Sequence, residues 1–126
     1  MGKTIDFNEL YLVDGDNHVY KGLDGIDNLG HCAEVIVFVS QEGLRRKLKK
    51  KYGDAINVVM VKPGKEAVDN SIKGMLKKRV KMRRIYPKIH VISHDRGYKK
   101  IIGEYQRRYN LSPKFLSLRK AIKYCN

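Results

Sequence analysis

Tryptophan is absent from this chain, cysteine occurs twice, proline three times, and acidic residues number 13 against 27 lysines and arginines. Each shortage excludes something. Cys32 and Cys125 have neither a CxxC partner nor zinc-type spacing. They exclude a disulfide scaffold or zinc finger and read as reduced thiols in a cytoplasmic protein. Uninterrupted apolar runs stop at about five residues, far below the ~20 that a spanning helix needs. The opening MGKTIDFNEL has no apolar core of the signal-peptide kind, so no secretory signal is expected. The basic segments lack the aromatic and leucine-rich opposite face of a membrane-surface helix, so no membrane partner is expected. Ser, Cys and His show no arrangement suggestive of a nucleophilic triad.

What is present is positive charge. The net charge of +14 implies a polyanionic partner, most commonly nucleic acid, although a basic surface can also serve solubility alone. At 126 residues, 42% of them hydrophobic and 32% charged, the chain reads as one globular domain spanning 1–126.

Four apolar runs punctuate it: LYLV (10–13), VIVFV (35–39), INVVMV (56–61) and IHVI (89–92). None alternates cleanly between apolar and polar residues, the pattern of parallel strands covered on both faces. FLSL (115–118) offers a short fifth strand. Amphipathic stretches lie between. Residues 41–52 place Leu44 and Leu48 one turn apart, and 65–79 place Val68, Ile72, Met75 and Leu76 on one face. Residues 97–109 repeat Ile101, Ile102, Tyr105 and Tyr109, while 18–33 read as a glycine-interrupted loop or weak helix. Strand alternating with helix predicts a three-layer α/β fold with a parallel sheet and right-handed crossovers.

In such folds ligands bind outside the carboxyl ends of the strands. Asp14 and Asp16 follow the first run, Asp95 follows the fourth, and Asp69 lies about one turn inside the helix after Pro63-Gly64. Each has a plain structural alternative: a helix cap or turn for Asp14, Asp16 and Asp95, and a lysine pair with Lys65 or Lys73 for Asp69. Together they are harder to dismiss, because converging carboxylates repel unless a cation or lysines hold them. Oxygen-only ligands suit Mg2+ or Mn2+.

These segments resemble the signatures of PIN-like domains, particularly the branch that includes NYN domains. Val13–Asn17 (VDGDN) is similar to a strand ending in D-G-x-N, Gly64–Asp69 (GKEAVD) to G-K-N-A-x-D, and Val91–Tyr98 (VISHDRGY) to S-x-D-x-G-F. No one segment is diagnostic, but three in order across about residues 10–105 are fairly specific. The resemblance implies a Rossmann-like α/β/α sandwich with a mainly parallel sheet of four to five strands. It also implies a metal-dependent nuclease, most often acting on RNA, in which water attacks a phosphodiester in line. Asp14, Asp69 and Asp95 would be the catalytic, metal-binding carboxylates, with Asn17 and Ser93 as polar helpers. Tyr98 replaces the usual Phe, and Glu66 the usual Asn. The helix after the second strand offers only Glu42 as a further acid, so the fourth is open, Asp16 first and Glu66 second, as is the choice between one metal and two. His94 would be a proton shuttle or a strand-end side chain facing away from Asp95.

Substrate phosphates are expected on Lys65, on Arg45, Arg46 and Lys49 of the run RRKLKKK (45–51), on Lys78, Arg79, Arg83 and Arg84 of KKRVKMRR (77–84), and on Arg96. The eight tyrosines offer stacking surfaces for single-stranded bases, although most suit core or helix-boundary positions. Relatives often dimerise through a sheet edge, so a homodimer is a further expectation. Two rival readings stand. In one, a PIN-like fold grips RNA without cutting it. In the other, D-G-D-N resembles the opening of haloacid-dehalogenase-like phosphatases, with Asp14 as nucleophile, Asp16 as acid/base, Ser40 ending the second strand, and Lys62 or Lys65 and Asp95 completing the set.

Overall fold

The computed structural model of the chain describes residues 9–29, 33–64, 67–81, 88–94 and 115–125. Four strands run in parallel: β1 (Glu9–Asp14), β2 (Ala33–Val39), β3 (Asn57–Met60) and β4 (Lys88–Ile92), in the order β3-β2-β1-β4. The helices are α1 (Val19–Gly22), α2 (Glu42–Tyr52), α3 (Ala67–Lys81) and α4 (Leu118–Cys125). Short 3-10 turns follow α1 and α2 at Ile26–Asn28 and Gly53–Ala55.

Side chains on a strand alternate between faces, and here the alternation sorts the core into two layers. Leu10, Leu12, Ile36, Phe38, Ile89 and Val91 pack on Val68 and Ile72 of α3. Tyr11, Val13, Val35, Val37, Val39 and Ile92 pack on Val19, Leu23, Leu48, Leu118 and Ala121. The sheet is therefore covered by α3 on one face and by α1, α2 and α4 on the other, a Rossmann-like three-layer α/β/α sandwich. Each fully buried Leu or Ile contributes about 1.5–3 kcal/mol of transfer free energy, which is what makes strands without polar alternation stable at the centre of the sandwich.

Two expectations change. The run 56–61 lies at the sheet edge, where β3 leaves Val59 and Met60 substantially exposed instead of covered on both faces. The fifth strand contracts to one residue: Phe115 bridges Ile92, and α4 begins at Leu118. The Ser117 hydroxyl accepts the Lys120 amide, capping that helix in place of a strand. The helix expected over 97–109 lies outside the described residues. No described helix is long and apolar enough to cross a membrane.

The topology makes one position special. From β1 the chain moves through α1 to β2 and β3 on one side; α3 then carries it across the opposite face to β4 on the other. The strand order thus reverses between β1 and β4, and in folds of this kind the ligand crevice lies at the carboxyl ends of the strands at such a reversal.

Candidate metal centre

The residue that ends β1 in this crevice is Asp14. It is 5% exposed, and its strand parity puts it on the α3 face with Leu10 and Leu12. Ser93, just past the end of β4, has the parity of Ile89 and Val91 and meets it there. The Ser93 hydroxyl donates to Asp14 Oδ2 at 3.0 Å, and the Asp16 amide donates to Asp14 Oδ1 at 3.1 Å. Ser93 is itself held in line by backbone: its amide donates to the Phe115 carbonyl at 3.0 Å. A carboxylate removed from water costs several kcal/mol unless such donors or a cation compensate it.

Gly15 explains how the chain turns out of β1 so tightly. Its amide donates to the Phe38 carbonyl at 2.8 Å, and a Cβ there would lie 2.5 Å from both that oxygen and Val39 Cγ1. Glycine in the D-G-x-N segment is thus a packing requirement of the β1–β2 contact. The turn ends at His18, whose φ of 57° and ψ of 48° are left-handed, a conformation costing a non-glycine residue about 1–2 kcal/mol. From there the chain enters α1.

Asp16 takes a different position from Asp14. It is exposed, and its carboxylate accepts the Ser40 amide at 3.0 Å and the Ser40 hydroxyl, which ties the loop after β1 to the end of β2. Asn17, next in sequence, is half-buried. Glu42 stands in the first turn of α2, where Arg45 grips it through two nitrogens and Arg46 approaches to 3.5 Å. The Arg45 hydrogen bond, with Arg46 assisting, holds the Glu42 carboxyl below its ordinary range, and the same contact pushes the Arg45 guanidinium up.

Asp69 occupies the third position of α3, whose backbone starts on the carboxyl side of the sheet after β3; its side chain lies outside the described residues, as do Asp95, Lys65 and Arg96. Among the described residues no three His, Cys, Asp or Glu side chains converge. The structure therefore brings together Asp14 and Ser93, with Asp16 one turn of backbone away. The donor types present, a carboxylate with an oriented hydroxyl, fit a hard divalent cation such as Mg2+ or Mn2+.

The basic residues divide by position along their helices. Arg45 and Arg46 lie about one turn into α2, on the carboxyl side of the sheet. Lys49 is another turn on, and Lys78 lies eleven residues after Ala67, about 16 Å along α3 at 1.5 Å per residue. Because these helices run back against the strands, Lys78 is carried away from the crevice, and the backbone of Arg79 with it. Arg83 and Arg84 lie outside the described residues.

A recess that the sequence did not disclose opens beside the crevice, on the other face. His94 has the opposite parity to Ser93, and its ring lies 5.1 Å from that of His18. It faces away from Asp14 and, with Tyr20 and Lys21 of α1, Asp24, and Leu116, Ser117 and Lys120 around the start of α4, lines a cavity of about 490 Å3. α4 is fixed there by Arg119, whose amide donates to the Asp24 carbonyl at 2.7 Å and whose guanidinium grips the Asp24 carboxylate at 3.0 and 3.2 Å. Sequence reading missed α4, although Ser117 ahead of an amphipathic octet was a legible cap signal.

No protein-family model, curated protein or solved structure matches this chain.

Proposed function

We propose that the protein is a Mg2+- or Mn2+-dependent nuclease that hydrolyses phosphodiester bonds, with single-stranded or structured RNA in the cytoplasm as its substrate. The observation that carries this reading is the buried Asp14 carboxylate at the β1–β4 crevice, oriented by the Ser93 hydroxyl. Asp69, in the first turn of α3, and Asp95, two residues beyond Ser93 in sequence, would be the further acids. A cation held there supplies Lewis-acid polarisation of the phosphate and a water of lowered pKa. The chain's part is to hold Asp14 in one rotamer, to keep water from its apolar side through Leu12 and Phe38, and to draw the polyanion in by its net positive charge. The exposed edge of β3, with Val59 and Met60, is where a homodimer would extend the sheet.

The test is cleavage of a labelled single-stranded RNA with Mg2+ or Mn2+ and with chelator. Wild type is expected to cut only with metal, and Asp14→Asn and Asp95→Asn to lose cutting while keeping or improving RNA affinity, since an acid beside phosphates repels them. Mn2+ is also expected to raise the wild-type melting temperature and not that of Asp14→Asn; saturation a hundredfold above Kd is worth about 2.7 kcal/mol. RNA bound equally in chelator and never cut would sink the nuclease reading and leave an RNA-binding module.

A further inference from the structure

We propose that the recess between α1 and α4 is a nucleotide subsite, which seats one base and its phosphate of the single strand whose scissile bond lies over Asp14. It rests on the nuclease reading for its place in the reaction, but its walls argue for a nucleotide independently.

The recess combines the two surfaces a nucleotide needs. Tyr20 is 45% exposed and Leu116 39%, and both line the same cavity. The Tyr20 ring, which lines the recess, also carries the Lys51 ammonium 4.9 Å from its centroid, so a cation stands beside the proposed stacking surface. Stacking on such a ring is sequence-tolerant, because every base has a π-face. The cationic wall is formed by Lys21 and Lys120. One carboxylate, Asp24, also lines the recess, and the two-pronged Arg119 contact offsets part of its charge, which leaves the lining net positive. A volume of about 490 Å3 is within the range of small-ligand sites and suits one nucleotide, not a duplex.

Position supplies the link to the crevice. His94 forms part of the recess and Ser93, its neighbour, bonds Asp14 on the opposite face. A strand crossing the end of β4 therefore runs from the recess toward Asp14. Sequence patterning does not place this site, since it offers only a short strand at 115–118 and no element over 119–125, and Tyr20 is one tyrosine among eight.

The experiment measures binding of a fluorescent five-nucleotide RNA in chelator, so that no cleavage is needed. Tyr20→Ala is expected to weaken binding about tenfold and Tyr20→Phe to restore it. Lys21→Ala and Lys120→Ala should each reduce the slope of log affinity against log salt by about 0.7. A base-free sugar-phosphate strand should bind wild type and Tyr20→Ala alike. Wild-type affinity in Tyr20→Ala, with circular dichroism unchanged, would overturn the subsite, as would equal Tyr20 dependence for the base-free strand. Metal-dependent cutting that survives while Tyr20→Ala is silent would refute the subsite alone. Tyr20-dependent binding with no cutting in any metal would instead refute the nuclease reading and leave the subsite standing.

Discussion

The Ser93 hydroxyl donates to the Asp14 carboxylate across 3.0 Å, joining the carboxyl ends of β4 and β1 inside the fold. The two residues are 79 positions apart in sequence and both nearly inaccessible to water. A donor so placed fixes the carboxylate's orientation, as a hydrogen bond behind the proposed metal ligand would.

Replacing Ser93 by Ala is therefore expected to raise the Mn2+ concentration needed for half-maximal cleavage by about 10–100-fold. The buried carboxylate also loses a partner, so stability should fall by about 1–3 kcal/mol in denaturant titration. A stability loss with unchanged metal dependence would mean that Ser93 only fills and bonds the core.

How far this pairing was readable from sequence can be stated residue by residue. Four Val- and Ile-rich runs without alternation predicted a parallel sheet, and period two then decides that Asp14 and Ser93 share the face of Leu12 and Val91. That much follows from strand parity. The edge position of β3 does not, because VVMV reads the same whether a strand has one neighbour or two. Phe115 likewise resembles a strand residue because it does pair with Ile92, but Ser117 ends the pairing by capping α4. The left-handed His18 and the tie between Asp16 and Ser40 were not readable, since both depend on how loops from separate crossovers meet. Asp16, the first candidate for the fourth acid, has its carboxylate on Ser40.

Gly15→Ala tests the close approach of β1 and β2. Its added methyl would lie 2.5 Å from the Phe38 carbonyl and 2.9 Å from Val37 Cγ1, with backbone on one side and branched core side chains on the other. Neither can yield without moving a strand. Overpacking of this kind typically costs 1–3 kcal/mol, so the urea midpoint should fall, and cleavage should fall further than stability because Asp14 is the adjacent residue. Gly43→Ala serves as the comparison, since nothing lies within 4 Å of its Cβ position. It should be neutral or slightly stabilising.

The Asp24–Arg119 contact predicts a pH dependence with a definite sign. Hydrogen bonding by Arg119 holds the Asp24 carboxyl below its ordinary 3.8. A lowered folded-state pKa stabilises the fold above the unfolded value and is lost as pH falls through the folded one. The difference in denaturation midpoint between wild type and Asp24→Asn should therefore be present at neutral pH, begin to shrink as pH drops below about 4, and vanish at the acid end. Because both side chains are more than half exposed, the difference should also shrink in high salt. A difference that persists at the lowest pH would locate the effect in packing of α4 on Gly25 instead, where Arg119 lies close enough to meet a Cβ at 2.7 Å.

Glu42→Gln separates two roles for the acid at the start of α2. Arg45 and Arg46 now spend their charge on it, 2.9 Å and 3.5 Å away, on the side of the sheet where the crevice opens. Neutralising Glu42 releases both guanidiniums to a polyanion. Affinity for a short RNA in chelator is then expected to rise a few-fold, with a salt slope steeper by up to about 1.4 if both arginines reach phosphates. Cleavage at saturating metal should hold or increase. Lys78→Ala provides the contrast, because α3 carries that residue about 16 Å away from its starting edge, and only longer RNAs should register its loss. If Glu42 instead supplied the fourth acid, Glu42→Gln would lower cleavage and raise the metal requirement even as RNA binding tightened. Measuring affinity in chelator and cleavage against Mn2+ on the same variant makes these outcomes distinct.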